Sequence, residues 1–273
     1  MKSLSNINRV LFYGCSFTAG SELADQELLP DLSKEEIDKL KAKELYSFYE
    51  RVNLKLREKL EKEKSWARWF ADELGLPYEN RAKGGSSMAQ IVFTVEQDLA
   101  RSNINDTDLI IVGTTSPERI CRFTQYGPQS IILASLNVRD QWDERFERDF
   151  LINIATDNYL LYNWYKELRH LDLLSDRLQG RLFQQWVWAT WTQNLEFTND
   201  SGPFYKLDPF MSEILHPNVI FNSMIDNSLS FTTLDAWNPI NQEVLHHPKL
   251  EVQQQFGRTL ANSFKNKVNW NEK

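Results

Sequence analysis

The chain has 273 residues, of which 41% are hydrophobic, and a formal net charge of -7. This length and apolar content suit one large domain, and the acidic charge argues against a nonspecific nucleic-acid binder. Because no apolar window is as long as a membrane span and no signal peptide is recognisable, we expect a cytoplasmic protein with neither nucleic acid nor membrane as partner.

The first predicted element is a buried strand that ends beside a serine. Residues 10–13 are apolar, Gly14 follows, and Ser16 comes two residues later. This arrangement predicts a hydroxyl at the C-terminal edge of a parallel strand, where α/β sheets place their ligand sites. Ser16 is therefore a candidate nucleophile with backbone N–H groups nearby. The alternative is that Ser16 only caps the first helix.

A charged segment, about residues 22–64, follows and predicts a helical insertion. Ser33 and Glu36 form a capping-box pattern, and apolar residues then recur at helical spacing up to Leu60. One face of these helices should be buried. The insertion is either a lid over the site or a peripheral surface for contacts in a homo-oligomer or a larger assembly.

Residues 65–75 predict an amphipathic helix that begins after Ser65 and ends at Gly75. The stretch that follows, residues 80–85, reads Asn-Arg-Ala-Lys-Gly-Gly. Glycine allows a backbone N–H to approach a substrate oxygen closely. These glycines are therefore candidates to approach a substrate. The alternative is that they only form a Gly-Gly turn before a helix that starts near Ser87.

The middle of the chain predicts further alternation of strands and helices. Residues 108–113 form an apolar run typical of a buried strand, and Thr115 follows it. Residues 130–136 fit either a strand or a helix. Residues 149–180 predict a long helix, and residues 181–191 predict a strand. Such alternation indicates a parallel sheet covered on both faces.

The sequence also predicts the state of the two cysteines and a role for two of the tryptophans. Cys15 and Cys121 are predicted to be free thiols of a reducing compartment. Trp191 lies at the predicted end of a strand, and Trp237 precedes a loop that contains two histidines. Both tryptophans are candidates to line a substrate pocket, since aromatic rings bind sugars as well as fill cores.

These blocks resemble the SGNH hydrolases, also called the GDSL esterase/lipase family. Residues 14–20 read Gly-Cys-Ser-Phe-Thr-Ala-Gly, close to the family's Gly-Asp-Ser-x-Thr-x-Gly. Residues 80–85 match Asn-x-Ala-x-x-Gly, and His247-Pro248 matches the family's His-Pro before a last helix. The resemblance implies an α/β fold, a three-layer α/β/α sandwich of flavodoxin-like SGNH hydrolase architecture. It has a mostly parallel central sheet and helical insertions.

The resemblance also implies one domain over residues 1–273, with a helical insertion at about 22–64 and a variable helical region at about 121–235. Within it, Ser16 is the implied nucleophile and His247 the implied base. The implied oxyanion donors are Ser16, Gly85 (with Gly84 as the near alternative) and Thr115, which stands where the family has asparagine.

The chain departs from the family in its acidic residues. Cys15 replaces an aspartate, and Val244 stands where the family has the aspartate that orients the histidine. Glu243 and Asp235 are the candidate orienting acids, and a backbone carbonyl is a third choice.

The resemblance therefore implies a serine ester hydrolase that acts on small acyl esters, with O-acetyl groups of a glycan as the favoured substrates. No metal or organic cofactor is expected. The alternative is a catalytically degenerate module that keeps the fold and serves in binding or assembly.

Overall fold

The structure is a computed structural model and describes residues 4, 6–43, 52–115, 119–124, 127–132, 157–185, 250–268 and 270. Its strands are β1 (Arg9–Tyr13), β2 (Tyr78–Asn80), β3 (Asp108–Gly113), β4 (Arg119–Thr124), β5 (Gly127–Ile132) and β6 (Leu182–Gln185). Its helices are α1 (Ser16–Ala19), α2 (Asp25–Leu28), α3 (Lys34–Lys43), α4 (Leu54–Lys64), α5 (Trp66–Leu74), α6 (Met88–Ala100), α7 (Asp157–Arg177) and α8 (Leu250–Val268).

Four of the strands form a parallel sheet in the order β2-β1-β3-β6. Residues 10–13 of β1 and 109–112 of β3 are buried, as expected for central strands covered on both faces. Phe12 pairs with Asn80 of β2, and Tyr13 pairs with Val112 of β3. The three strands therefore end at one edge of the sheet, and Gly14 follows directly at that edge.

Helices α5 and α8 cover one face of the sheet. Phe12 points into this layer and meets the rings of Trp66 and Phe70 edge-on, at centroid distances of 5.4 and 5.7 Å. The two helices approach closely at Gly257, where an added Cβ would lie 2.4 Å from Trp66 O. The backbone N–H of Trp66 also donates to Gln253 Oε1 at 2.9 Å, so α8 is fixed to α5 by packing and by a buried hydrogen bond.

Helices α6 and α7 cover the opposite face. They pack on the side chains of the sheet that point away from α5 and α8; the buried members of this cluster include Leu11, Ile110, Val112, Val92, Val95, Leu168 and Leu171. Two helix layers thus enclose a parallel sheet. This confirms the predicted α/β fold class with its α/β/α layers.

The observed elements match several predicted ones. Helix α5 ends at Gly75, which has a φ of +66°, and α6 is capped by Ser87, which accepts a hydrogen bond from the Gln90 N–H. Strand β6 begins the predicted strand at 181–191 and is a parallel partner of β3. Within the part of the predicted 149–180 helix that the structure describes, α7 spans residues 157–177.

The antiparallel hairpin of β4 and β5 is the main addition to the predicted elements. Ser130 pairs with Cys121 in it, so residues 130–132 of the ambiguous stretch at 130–136 are strand, and residues 133–136 lie outside the described part of the chain. No strand over 119–124 was expected, since this segment lacks a continuous apolar run. Gln90 Nε2 of α6 donates to Pro128 O at 3.3 Å, which holds the hairpin against that helix.

The predicted insertion contains α2, α3 and α4. The capping box is confirmed, because Glu36 Oε2 accepts from the Ser33 N–H at 2.8 Å while Ser33 Oγ accepts from the Glu36 N–H at 3.3 Å. Among the helices that the structure describes, none combines the length and the apolar character needed to cross a membrane.

Asp172 makes the stability of the α7 layer depend on pH. Its buried carboxylate accepts hydrogen bonds from Gln184 Nε2 at 3.1 Å and from Arg169 Nη1 at 3.4 Å. Burial raises the pKa of Asp172 to about 7, against the opposing charge of Arg169. Because folding raises this pKa, the folded state holds the proton more tightly, and stability falls as the pH rises from 3.8 towards about 7.

We expect Asp172→Asn, which resembles the protonated carboxyl, to stabilise the fold more at pH 8.5 than at pH 5. The difference in the gain of unfolding free energy should be roughly 1 kcal/mol or more. Urea denaturation at both pH values measures it, and the exposed Asp31 changed to Asn is the control. Equal effects of Asp172→Asn at the two pH values would show that Asp172 does not titrate in this window.

Candidate active site

Ser16 lies in the turn between β1 and α1. Cys15 is the N-cap residue of α1 and makes no side-chain capping hydrogen bond, and Ser16 is the first helical residue. The interpretation of Ser16 as the N-cap is therefore wrong. Ser16 is 6% exposed, and neither its hydroxyl nor its N–H donates a hydrogen bond to any described residue. The hydroxyl thus stays available at the C-terminal edge of the sheet.

Gly14 allows this turn to be tight. A Cβ at this position would lie 2.3 Å from Thr18 Oγ1 and 3.0 Å from Gly113 O. Any side chain would therefore collide both with α1 and with the end of β3. The glycine brings the start of α1 directly onto the sheet and fixes the position of Ser16.

The loop after β2 continues along the end of β1. The Arg81 N–H donates to Phe12 O at 2.8 Å, and the Lys83 N–H donates to Gly14 O at 3.1 Å. These bonds bring Gly84 against Ser16, since a Cβ on Gly84 would lie 4.0 Å from the Cβ of Ser16. Gly85 has a φ of +77° and open space around its Cα. Which of the two glycines donates to an oxyanion stays a prediction.

Arg81 holds the start of this loop from the side. Its Nη1 donates to Tyr13 Oη and to Asp98 Oδ2, both at 2.9 Å, and its Nη2 donates to Glu79 Oε2 at 2.8 Å. Burial raises the pKa of Tyr13, so its neutral phenol donates in turn to Asp98 at 2.8 Å. This network ties β1, β2 and α6 together below the glycines.

Asn80 is a positioning residue to which sequence analysis assigned no role of its own. Its Nδ2 donates to Thr18 O at 2.7 Å and to Ser65 Oγ at 2.9 Å, and its Oδ1 accepts from the Ala82 N–H at 3.1 Å. The side chain thus joins the end of β2 to α1 and to the start of α5. The available signal was its place at the head of the second block, where it is the last residue of β2.

Replacing Asn80 by alanine should destabilise the fold. The change leaves the buried Thr18 carbonyl and Ala82 N–H without their partner, so we expect the unfolding free energy to fall by roughly 2–4 kcal/mol. Urea denaturation measures the loss. Asn103→Ala, an exposed change of the same kind, should cost less than about 1 kcal/mol. Similar losses in the two variants would contradict the positioning role.

Thr115 lies two residues beyond β3, and its backbone is held on both sides. Its N–H donates to Met88 Sδ at 3.4 Å, and its carbonyl accepts from Trp164 Nε1 at 2.6 Å. Thr115 is buried. The register of β1 and β3 places the Ser16 turn and Thr115 at the same sheet edge. Its role as an oxyanion donor stays a prediction.

The insertion is fixed to the turn that follows α1. Gly20 ends α1 with a φ of +79°, and a Cβ there would lie 2.4 Å from Glu61 O of α4. Glu61 Oε1 accepts the Glu22 N–H at 2.7 Å. Arg57 Nε lies 3.0 Å from both Glu61 and Asp25 carboxylate oxygens. Helix α4 is therefore packed beside the turn that follows α1, while the lid and the assembly surface both stay predictions.

The other predicted site residues lie outside the described part of the chain. These are the predicted base and its neighbour, the two candidate acids, and the two pocket tryptophans, namely His247, His246, Glu243, Asp235, Trp191 and Trp237. Neither Cys15 nor Cys121 is part of a disulfide. Within the described ranges, no group of three or more His, Cys, Asp or Glu side chains is placed to hold a metal ion.

No family model and no curated protein matches the chain. Among solved structures, it is similar to the psychrotrophic esterase EstA from Pseudoalteromonas sp., with 11% identity over 96% of this chain and 100% of that chain and a TM-score of 0.48. It is also similar to a member of the lipolytic protein G-D-S-L family from Veillonella parvula, with 13% identity, 95% and 98% coverage and a TM-score of 0.42. A third is a carbohydrate esterase family 2 enzyme from Corynascus thermopiles, with 12% identity, 96% and 67% coverage and a TM-score of 0.43.

Proposed function

We propose that this chain is a serine ester hydrolase with Ser16 as its nucleophile. The observation that carries the proposal is the turn itself. Ser16 follows the central strand at the C-terminal sheet edge, its hydroxyl donates to no described residue, and the backbone of Gly84 lies beside it. A hydroxyl placed next to unpaired backbone N–H groups is the arrangement that acyl transfer requires.

In the proposed reaction, Ser16 Oγ attacks the carbonyl carbon of the ester while His247 accepts the serine proton. The carbonyl oxygen becomes an oxyanion. Collapse of this intermediate breaks the bond to the alcohol, which takes the proton from His247 and leaves an acyl-serine. Water, deprotonated by His247, then releases the carboxylic acid and restores Ser16.

Three donors are proposed for the oxyanion. The Ser16 N–H and the Gly85 N–H supply two of them, with Gly84 as the alternative to Gly85, and the Thr115 hydroxyl supplies the third. The threonine hydroxyl does not reach as far as an asparagine amide, so the hydrogen bond from Thr115 to the oxyanion should be the weakest of the three. Support for this set comes from the close approach of the Gly84 loop to Ser16 and from the anchored backbone of Thr115.

The proposed substrates are small acyl esters, with O-acetyl groups of a glycan as the favoured class. The sugar part of such a substrate is assigned to Trp191 and Trp237, because aromatic rings stack on sugar rings.

A fluorophosphonate probe tests the proposal directly. Its phosphorus is attacked by an activated serine, fluoride leaves, and a stable phosphonyl-serine remains. Mass spectrometry of the digested protein should locate the adduct on Ser16, and heat-denatured protein should give none. An adduct on another residue would identify that residue, and not Ser16, as the nucleophile. Absence of labelling, together with absence of acetyl-ester hydrolysis, would favour the degenerate binding module.

A further inference from the structure

A pocket of about 170 Å³ opens between the starts of α6 and α7 and strand β4. Its lining includes Met88 of α6, Arg119 of β4, and Tyr159, Asn163 and Trp164 of α7. The lining thus includes both aromatic residues and an arginine. Such a mixture is typical of small-molecule sites, in which apolar walls surround a few placed polar groups.

The pocket adjoins the sheet edge that carries the candidate active site. Thr115 connects the two, because its N–H donates to Met88 Sδ and its carbonyl accepts from Trp164 Nε1. Both Met88 and Trp164 line the pocket. A molecule bound there would therefore contact residues that bond directly to Thr115, a proposed oxyanion donor.

Arg119 brings an unbalanced positive charge to this pocket. Its Nη1 is buried, and no described residue accepts a hydrogen bond from it or pairs with its charge. Arg81, by contrast, is held by the carboxylates of Glu79 and Asp98. A buried N–H without an acceptor costs free energy, and an anion in the pocket would supply the acceptor.

The other charges of the pocket cancel. Lys166 Nζ lies 3.4 Å from Glu167 Oε1, and both residues line the pocket. Among the described residues that line the pocket, Arg119 therefore leaves one net positive charge, although the chain as a whole carries -7. The planar guanidinium group suits an oxyanion with two acceptor oxygens.

We infer that this pocket binds an anionic group, a carboxylate or a phosphate, of the ester that Ser16 cleaves. The inference rests on the proposed function. Arg119 pairs with the anion, Asn163 offers a further donor, and the rings of Tyr159 and Trp164 pack on the adjoining apolar part of the molecule. The substrate class is thus an acidic ester rather than a neutral one.

Matched aryl acetates test the inference: 4-acetoxybenzoate, its neutral methyl ester and 4-acetoxyphenyl phosphate. Each kcat/KM is divided by the rate constant for alkaline hydrolysis of the same ester, which corrects for the leaving group. We expect the native protein to prefer an anionic acetate over the methyl ester by about tenfold or more. A larger preference for the phosphate or for the benzoate identifies the anion.

Arg119→Met should remove this preference and leave hydrolysis of the methyl ester within about threefold of the native rate. Arg119→Lys should retain part of it. Arg101→Met removes the same charge from an exposed position and should keep the full preference, which controls for net charge. Thermal unfolding verifies that each variant is folded. No preference in the native protein, or equal losses for anionic and neutral esters in Arg119→Met, would overturn the inference.

Calorimetric titration of Ser16→Ala with 4-acetoxybenzoate separates this inference from the proposed function. If Ser16→Ala binds this ester and the double variant with Ser16→Ala and Arg119→Met does not, the result supports the anion pocket even if no ester is hydrolysed. Hydrolysis of neutral esters by the native protein without any effect of Arg119 refutes the pocket and leaves the esterase proposal standing. Failure of Ser16→Ala to bind either anionic acetate likewise refutes the pocket.

Discussion

Replacement of Ser16 by alanine should lower kcat/KM for acetyl esters by roughly 10⁴-fold or more. The hydroxyl is the only atom lost, and no described residue depends on it for a hydrogen bond. The turn is fixed instead by the tight fit at Gly14 and by the bond from Lys83 to Gly14 O. The unfolding free energy should therefore change by less than about 1 kcal/mol.

Ser21→Ala is the matched control for this change. Ser21 lies just after α1, and its N–H donates to Ser16 O at 3.0 Å, but its hydroxyl has no proposed part in the chemistry. The variant should keep most of the activity. Steady-state kinetics with a chromogenic acetate measure both proteins. If Ser16→Ala is as active as the native protein, Ser16 is not the nucleophile.

His247→Ala should produce the second large effect, a loss of about 10³-fold or more in kcat/KM. Without a base, the Ser16 hydroxyl must attack with its proton in place, and the leaving alkoxide finds no acid. The proline at position 248 restricts the preceding residue to an extended backbone, which fits a histidine held in one orientation. The loss should fall mainly in kcat, because proton transfer belongs to the chemical step.

His246→Ala is the control for this prediction and should leave kcat/KM nearly unchanged. If His246→Ala is instead the damaging change, the register of this loop is one residue off. Glu243→Gln and Asp235→Asn should each cost far less than the roughly 10⁴-fold loss that follows removal of a triad aspartate. A loss of that full size in either variant would identify the orienting acid and contradict a backbone carbonyl in that role.

The sheet and its helix layers were predictable because the signals are local. The apolar runs of β1 and β3 have no interpretation other than buried segments, and Gly75 and Ser87 mark helix ends by their own chemistry. The hairpin at 119–132 was missed because short antiparallel strands of mixed polarity leave no clear period. Its position depends on packing against α6, which a local pattern does not encode.

The candidate site was predictable only in part. Ser16 stands in a motif whose spacing carries the chemistry. Asn80 heads the second block without a role of its own in it, and Arg119 belongs to no motif. The importance of both depends on which backbone groups and charges surround them once the chain is folded. Asn80 bonds to Thr18, which is 62 residues away in sequence. The unbalanced charge of Arg119 is visible only when its neighbours are known.

The packing of α8 on α5 has a consequence for synthesis of the protein. Phe256 and Phe264 close the side of the core that holds Phe12, Trp66 and Phe70, yet Phe256 is translated 244 residues after Phe12. A growing chain on the ribosome therefore has an open apolar face for most of its elongation, and this half of the sheet completes its folding only after residues 250–268 emerge. We expect nascent chains stalled before this helix to depend on chaperones and to aggregate when released.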